Sequence, residues 1–400
     1  MSTRSHPASQ RLRRHRRLIL AGLAVVVLAA AAAVAVVALT STGSDESSER
    51  TGVLAGLVRG PNRVAPGATA YVVGPDGAWS GAVGVADLRT RAPMRADSRM
   101  RVQSLSKLWL LVVLLQLDQE RKLSLDETVS NWLPDLLPRH GGEITIRQLV
   151  TDTSGLIDDN DVNDATPAQA RVLLARVRDP ALRAQVRATA ARLQRDPSVP
   201  ASPLMWIRLA DWQPLVSAPG EHYHHSNIGW NIAGLIAARA GGAPLPVLYR
   251  DRILRPLGLT HTAYDPQGPI RGPHATGYLL ESRGRARDAT AWTFGKGADG
   301  AIVTDAHDQA MLLRAIVDDR LHVRRAFLDF AGTLGETHGP CPGNAFSATG
   351  TGAASRAYAY YDQSPDGRVA VLMLNGTRQA TLGPGDVRAE DAAVRLFCGG

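Results

Sequence analysis

Residues 104–121 read SLSKLWLLVVLLQLDQER and are apolar on nearly every helical face over the first three turns. The stretch is shorter than the roughly 20 residues that cross a bilayer, so it predicts a helix buried in a protein core. Ser104 and Lys107 stand three positions apart at its start, which places them on one face of that helix. The pattern therefore brings a hydroxyl and an amine together at the mouth of a buried helix.

Lysine is rare in this chain, because only three of its 45 basic residues are lysines: Lys107, Lys122 and Lys296. Unlike arginine, lysine can lose its proton usefully near neutral pH. Burial favours the neutral amine, which makes Lys107 a base for the Ser104 hydroxyl. The alternative is an exposed lysine at the helix mouth. Lys296 lies between glycines and is interpreted first as a solvent-facing loop residue.

The pattern outside this helix predicts strands at both ends of the body and helices between them. Residues 68–88 and 355–376 each show two strand-like runs joined by a Pro-Asp-Gly turn, which is typical of β-hairpins. Residues 166–196 form an arginine-laced helical stretch broken at Pro180, and residues 383–397 look helical. We expect an α+β fold in which one antiparallel sheet, built from both termini of the domain, packs with helices and carries an all-helical lobe.

The N-terminal residues predict a membrane anchor. A basic tail at 1–17 precedes residues 18–40, which carry no charge over 23 positions. This length crosses a bilayer, and the six arginines before it place the N-terminus in the cytoplasm. Residues 41–55 are small and polar and predict a flexible linker to a 56–400 domain outside the cell membrane. Cleavage of the apolar segment as a signal peptide is the alternative.

Charge and cysteine content exclude some classes of protein. Residues 1–50 hold half of the formal charge of +8, and the body shows no clustered basic face, so we expect no nucleic-acid partner. Cys341 and Cys398 are the only cysteines, too few for a cysteine-based zinc site. On the oxidising side of a membrane they favour a disulfide that holds the C-terminus, with two buried thiols as the alternative.

Three histidines lie within four positions, at His222, His224 and His225. Zinc needs three or four convergent ligands, but adjacent residues point in different directions and no carboxylate or cysteine stands at a fixed spacing. We therefore predict no metal and no cofactor. Asp152 and the acidic run at 158–164 are interpreted as loop and cap residues.

The chain resembles the superfamily of serine β-lactamases and penicillin-binding proteins. Residues 77–109 (GAWSGAVGVADLRTRAPMRADSRMRVQSLSKLW) and 214–242 (PLVSAPGEHYHHSNIGWNIAGLIAARAGG) carry the resemblance, which extends over about 65–397. It is similar above all to the branch of class C β-lactamases, D-alanyl-D-alanine carboxypeptidases and esterases. The resemblance implies acyl transfer, with Ser104 as nucleophile, Lys107 as its base or proton relay, and the Ser104 backbone N–H as one oxyanion donor.

The second motif of that family, Tyr-x-Asn after Pro-Gly, is altered. Counted from Pro219 and Gly220, His225 takes the tyrosine position and Asn227 matches the asparagine. The resemblance implies a proton-transfer role for His225, because imidazole titrates near neutrality. It implies that Asn227 binds substrate.

The third motif, Lys-Thr-Gly or His-Thr-Gly on an edge strand, is also altered. We align it with Gly350, Thr351 and Gly352, so that glycine replaces the cation. Thr351 and Gly352 would then contact substrate, and the Ala353 backbone N–H would be the second oxyanion donor. Since the cation of relatives helps to bind a substrate carboxylate, its loss favours neutral esters or amides.

The resemblance therefore implies a membrane-anchored, extracytoplasmic serine hydrolase. Its substrates would be peptidoglycan-like D-Ala-D-Ala peptides, β-lactams or small esters, and its membrane contact would be the N-terminal helix. Because two motifs are altered, the alternative is a non-catalytic member that binds or regulates in the cell envelope. The intact pair of Ser104 and Lys107 favours the enzyme.

Overall fold

The protein is described by a computed structural model. Residues 51–399 form one compact unit, and residues 45–50 are the described part of a second unit. The described residues are 45–60, 63–159, 161, 165–198, 201–266, 270–281, 285–292, 297–331, 345–364, 367–378 and 384–399.

The described strands form one large sheet and two small ones. In chain order they are β1 Gly67–Gly74, β2 Gly77–Gly84, β3 Met100–Arg101, β4 Ala263–Tyr264, β5 Tyr278–Leu280, β6 Ala286–Asp288, β7 Ile302–Thr304, β8 Ala345–Thr351, β9 Arg356–Asp362, β10 Val369–Leu374 and β11 Gly376–Arg378. The large sheet is antiparallel in the order β2-β1-β10-β9-β8. The small sheets have the orders β3-β7-β4 and β11-β5-β6.

The large sheet confirms the two predicted hairpins and their joining. Strands β1 and β2 form the first hairpin, and β9 and β10 form the second. Strand β1 joins the two hairpins, because its Tyr71 pairs with Ser80 of β2 on one side and with Val371 of β10 on the other. Both termini of the domain therefore build one antiparallel sheet, as the sequence predicts.

Some of the described helices pack on the two faces of this sheet, and others pack mainly on other helices. In chain order the helices are α1 at residues 45–58, α2 Ser106–Gln119, α3 Val129–Trp132, α4 Ile146–Val150, α5 Pro167–Arg176, α6 Pro180–Arg195, α7 Pro203–Asp211, α8 Asn227–Ala240, α9 Leu245–Tyr249, α10 Arg255–Leu257, α11 Ala306–Val317, α12 Arg324–Ala331 and α13 Pro384–Cys398. The predicted break at Pro180 is confirmed, because Asp179 caps α6 by accepting from the backbone N–H groups of Ala181 and Leu182.

Successive side chains of β9 point to opposite faces of the sheet, so the core has an inner and an outer layer. Ala357, Ala359 and Tyr361 face the inner layer, where α2 lies, while Tyr358 and Tyr360 face the outer layer with α13. This is the two-residue period of a strand that is covered on both faces. Helix α2 is buried on almost all sides, as its uniformly apolar sequence predicts.

The predicted flexible linker at 41–55 is wrong for the residues that the structure describes, because 45–58 are helical. Leu54 and Leu57 stand three positions apart and are buried in the outer layer, against Val72 and Tyr358. The mostly polar sequence did not predict this helix, because its two leucines are buried only against the assembled sheet.

The predicted membrane segment at 18–40 lies outside the described residues. Within the described ranges no single helix has the length and apolar character of a membrane span. Helices α8 and α9–α10 pass that test only as a pair, bent by 73°, and α8 is largely buried in the core.

Candidate active site

Ser104 lies in a short 3₁₀ turn, Gln103–Leu105, between β3 and α2. Gln103 has a φ of 52°, a left-handed conformation that is uncommon for residues with a side chain and that recurs at functional sites. Its side-chain amide donates to Ser355 Oγ at 3.1 Å, which ties the turn to the sheet. Ser104 is half-buried and reachable, whereas Ser106 is buried and its Oγ accepts from Ile302 N at 3.0 Å. Of the two serines in the SLSK stretch, Ser104 is therefore the one that a substrate can reach.

Lys107 lies one helical turn after Ser104, and only 8% of it is exposed. Its Nζ is 3.2 Å from Ser104 Oγ, 2.8 Å from Asn227 Oδ1 and 3.3 Å from His225 Nε2. An ammonium has three donors, and these three atoms can accept them. The lysine is therefore buried, and it joins the serine to the second motif.

His225 connects this lysine to a carboxylate. Its Nδ1 lies 3.0 Å from Asp158 Oδ2, and its Nε2 faces Lys107. Because the carboxylate only accepts, Nδ1 carries the proton and Nε2 is the acceptor in the neutral ring. Ser104, Lys107, His225 and Asp158 form a continuous hydrogen-bonded chain.

Asp158 is held as a carboxylate at the end of this chain. Burial alone would raise its pKa, but the hydrogen bonds from His225 and Asp159 and the charge of His225 lower the pKa well below its usual range. Its Oδ1 also accepts from the backbone N–H groups of Asn227 and Asp159, each at 2.8 Å. The oxygen facing His225 is therefore fixed in place.

The structure does not place Asn227 where it would bind substrate. Its side chain is 2% exposed, its Oδ1 accepts from Lys107, and its Nδ2 donates to Asp159 Oδ1 at 2.9 Å. Ser226 caps α8 and turns Asn227 inward. Asn227 therefore orients the lysine, since both ends of its amide are engaged within the protein.

Sequence reasoning missed the acidic residues of the site. Asp152, interpreted as a loop residue, has a φ of 53° and accepts from Ser226 N at 3.1 Å and from Trp230 Nε1 at 3.2 Å. Burial raises the pKa of Asp152, against the opposing charges of Lys107 and His225. Asp158 and Asp159 lie in the acidic run. The sequence shows only an acidic run at 158–164, and its composition does not distinguish buried acids from exposed ones.

The third motif lies two residues earlier than the predicted alignment. A Cβ on Gly350 would lie 3.0 Å from Ser104 N and 2.0 Å from Val102 O, so Gly350 packs against the nucleophile's backbone. A Cβ on Gly352 would instead meet the Gln103 side chain at 2.4 Å. By this contact the motif aligns with residues 348–350, so that Ala348 aligns with the cation position.

The shift moves the predicted oxyanion donor. Ala353 lies in the turn after β8 and packs against the small cluster of Leu279, Ala289 and Ala354. Gly352 N donates to Ser355 O at 3.1 Å across this hairpin. Because backbone amides alternate in direction along a strand, the Thr351 N–H points away from β9, and β8 is the outermost strand among those that the structure describes.

The other residues predicted for the site do not join the hydrogen bonds from Ser104 to Asp158, or they lie outside the residues that the structure describes. His222 is exposed, and His224 Nε2 lies 3.6 Å from Asp161 Oδ2. Cys398 is disulfide-bonded, while Cys341 and Lys296 lie outside the described residues.

The antiparallel sheet and the Ser-x-x-Lys helix define the class of serine β-lactamase-like and penicillin-binding-like proteins. A family model described as Beta-lactamase matches residues 54–394. The chain therefore belongs to the beta-lactamase family.

Solved structures share this fold. The D-stereospecific amidohydrolase from Streptomyces sp. aligns with a TM-score of 0.66 at 22% identity, covering 88% of this chain and 99% of that chain. D-amino acid amidase from Ochrobactrum anthropi SV3 aligns with a TM-score of 0.68 at 19% identity, covering 88% and 98%.

Esterase EstB of Burkholderia gladioli is 30% identical over 199 residues, which cover 48% of this chain and 44% of EstB. The chain spans about half the length of the curated relatives it matches.

Proposed function

We propose that the protein is a serine hydrolase that forms an acyl-enzyme on Ser104. The observation that carries the proposal is the hydrogen-bonded chain from Ser104 through Lys107 and His225 to Asp158. A protein that only binds its ligand gains nothing from a buried lysine that joins a reachable serine to a histidine.

The hydrogen bonds between these four residues support a complete path for proton transfer between Ser104 and His225. Lys107 passes a proton to His225 Nε2 and takes the Ser104 proton as Oγ bonds to the substrate carbonyl carbon. The carboxylate of Asp158 stabilises the resulting imidazolium. The same protons return through Lys107 to the leaving oxygen or nitrogen as its bond to the acyl carbon breaks. Water then releases the acyl group by the same path, which restores the serine.

The backbone N–H groups of Ser104 and Thr351 are the proposed oxyanion donors. The contact of Gly350 with Ser104 brings the outer edge of β8 beside the nucleophile, and the Thr351 amide points out of that edge. Two such donors stabilise the negative oxygen of the tetrahedral intermediate.

Neutral esters and amides are the proposed substrates. Ala348 stands where relatives carry a cation, so the strand itself offers no charge for a substrate carboxylate. The names of the esterase and amidase relatives agree with this class. Peptidoglycan-like D-Ala-D-Ala peptides and β-lactams carry that carboxylate, and we expect them to react more slowly.

We also propose that the domain acts outside the cell membrane, anchored by residues 18–40. The support is the uncharged 23-residue segment with six preceding arginines.

Acylation of Ser104 is the direct test. The full chain is incubated with a p-nitrophenyl ester, an N-acylated D-amino acid amide and a fluorescent penicillin, and adducts are located by mass spectrometry. We expect an adduct on Ser104, formed fastest with the ester, and none in Ser104→Ala. On intact cells, a membrane-impermeant ester probe should label the same serine.

Two results would count against these proposals. A folded protein that takes no acyl group from any probe is the binding or regulatory member. If the impermeant probe labels Ser104 only after the cells are lysed, the domain lies on the cytoplasmic side of the membrane. That result would not affect the acylation proposal.

Replacing Asp158 with asparagine should reverse the tautomer of His225. The two backbone N–H groups at Oδ1 would retain the amide oxygen there, so the amide NH₂ would face Nδ1. Nε2 would then carry the proton and meet Lys107 donor to donor. We expect kcat/KM for the ester to fall at least about tenfold, with a changed acid limb in the pH profile.

Asp158 itself should not produce that acid limb. Its pKa is lower in the folded protein, so the carboxylate stabilises the fold above its unfolded pKa, and this is lost only as pH falls through the folded pKa. Asp126→Asn is the matched control, because Asp126 is exposed and pairs with Arg147 rather than with His225. If kcat/KM has the same pH profile in wild type and Asp158→Asn, then Asp158 takes no part in proton transfer.

A further inference from the structure

A second cluster of histidines and carboxylates lies where β7 ends and α11 begins. Asp305 caps α11, and His307 and Asp308 occupy its first turn. His261, from the segment before β4, adds its Nδ1 at 2.5 Å from Asp305 Oδ2. None of these residues belongs to the chain of hydrogen bonds at Ser104.

The two carboxylates are buried with little positive charge around them. Asp305 is 1% exposed and Asp308 is 3% exposed. Within the described ranges no arginine or lysine forms a salt bridge with either of them, and their ionic partners are His261 and His307. Buried charges are normally paired or bound to a metal. With neutral imidazoles, only hydrogen bonds and the N-terminus of α11 would balance these two negative charges.

The donor atoms also converge. One ligand atom each of Asp305, His307 and Asp308 lie within 4.8 Å of one another. His261 and His307 are about half exposed, at 47% and 50% of their side chains, so an ion has access from solvent. Imidazole nitrogens with carboxylate oxygens are the ligands that Zn²⁺ accepts in tetrahedral sites.

Neighbouring groups already hold these ligands in place. Asp308 N donates to Asp305 Oδ1 at 2.8 Å, and Thr262 Oγ1 donates to Asp308 Oδ2 at 2.9 Å. Outer hydrogen bonds of this kind orient carboxylate ligands and reduce the reorganisation that binding requires. We propose that His261, Asp305, His307 and Asp308 bind one divalent transition-metal ion of the zinc class.

Protons compete with the ion for the same cluster. The hydrogen bond that His261 donates to Asp305, with the charges of Asp305, Asp308 and Asp97, raises the pKa of His261 against the effect of burial. A protonated His261 is the alternative cation that balances the carboxylates.

The test is a Zn²⁺ titration of the full chain after EDTA treatment, followed by calorimetry and thermal unfolding. We expect one bound equivalent and a raised Tm. His261→Gln and His307→Gln should each weaken binding by about tenfold or more, because each removes a ligand. Both histidines are at the surface, so these variants should fold. Tetrahedral Co²⁺ absorption in wild type, lost in the double variant, is a second readout that does not involve activity.

The matched control is a double variant, His222→Gln with His224→Gln, in the other histidine cluster. It should bind Zn²⁺ as wild type does. Three outcomes would overturn the proposal: no binding by wild type, unchanged affinity in the His261 and His307 variants, or loss of binding in the control. Ser104 acylation by the metal-free protein is measured alongside, so failure here is distinguishable from failure of the hydrolase proposal.

Discussion

Substituting methionine for Lys107 should lower the rate of Ser104 acylation by about 10³-fold or more, because the proton path then has no link between serine and histidine. Methionine has nearly the same length and fills the same buried space beside Ser104. Stopped-flow release of p-nitrophenol gives the acylation rate. Thermal unfolding, recorded in parallel, accounts for the loss of the contact to Asn227 Oδ1.

Lys107→Arg separates a chemical role from a structural one. Arginine keeps the positive charge and can donate to the same oxygens, but its guanidinium does not lose a proton at accessible pH. We expect it to be nearly as inactive as methionine. Lys122→Met is the matched control, since Lys122 is half exposed and pairs with Glu120. Full activity in Lys107→Arg would mean that the lysine only supplies charge.

Adding one methyl group at Gly350 should reduce kcat by about 10²- to 10³-fold, the cost of losing one oxyanion donor. The new Cβ would lie 2.0 Å from Val102 O and 3.0 Å from Ser104 N, and both are backbone atoms that cannot rotate away. Strand β8 must then move from the nucleophile, and the Thr351 amide moves with it. Steady-state kinetics of Gly350→Ala with the ester measures this.

Gly56→Ala is the control for this substitution, because its Cβ would meet nothing within 4 Å. It should retain full activity. A Gly350→Ala protein that unfolds at the wild-type temperature and keeps wild-type kcat would show that the edge of β8 takes no part in the reaction.

Local sequence patterns determined much of this protein. Alternation around two Pro-Asp-Gly turns predicts the hairpins of the large sheet, and the uniformly apolar 104–121 stretch predicts the buried α2. The spacing of Ser104 and Lys107 places them together, because residues three apart share a helical face. Each of these features depends on a few consecutive residues, so the sequence contains all the information that they need.

Only the tertiary structure decided how distant segments meet at the site. Asp158 reaches His225 across 67 positions, although the acidic run around it looks like a solvated loop. The repeat TGTG at 349–352 offers two alignments of equal quality, and only the contact of Gly350 with Ser104 distinguishes them. The helix at 45–58 likewise depends on a sheet face assembled from both ends of the domain. Burial and register are properties of the assembled layers, whereas the periodicity of a segment reports only its own conformation.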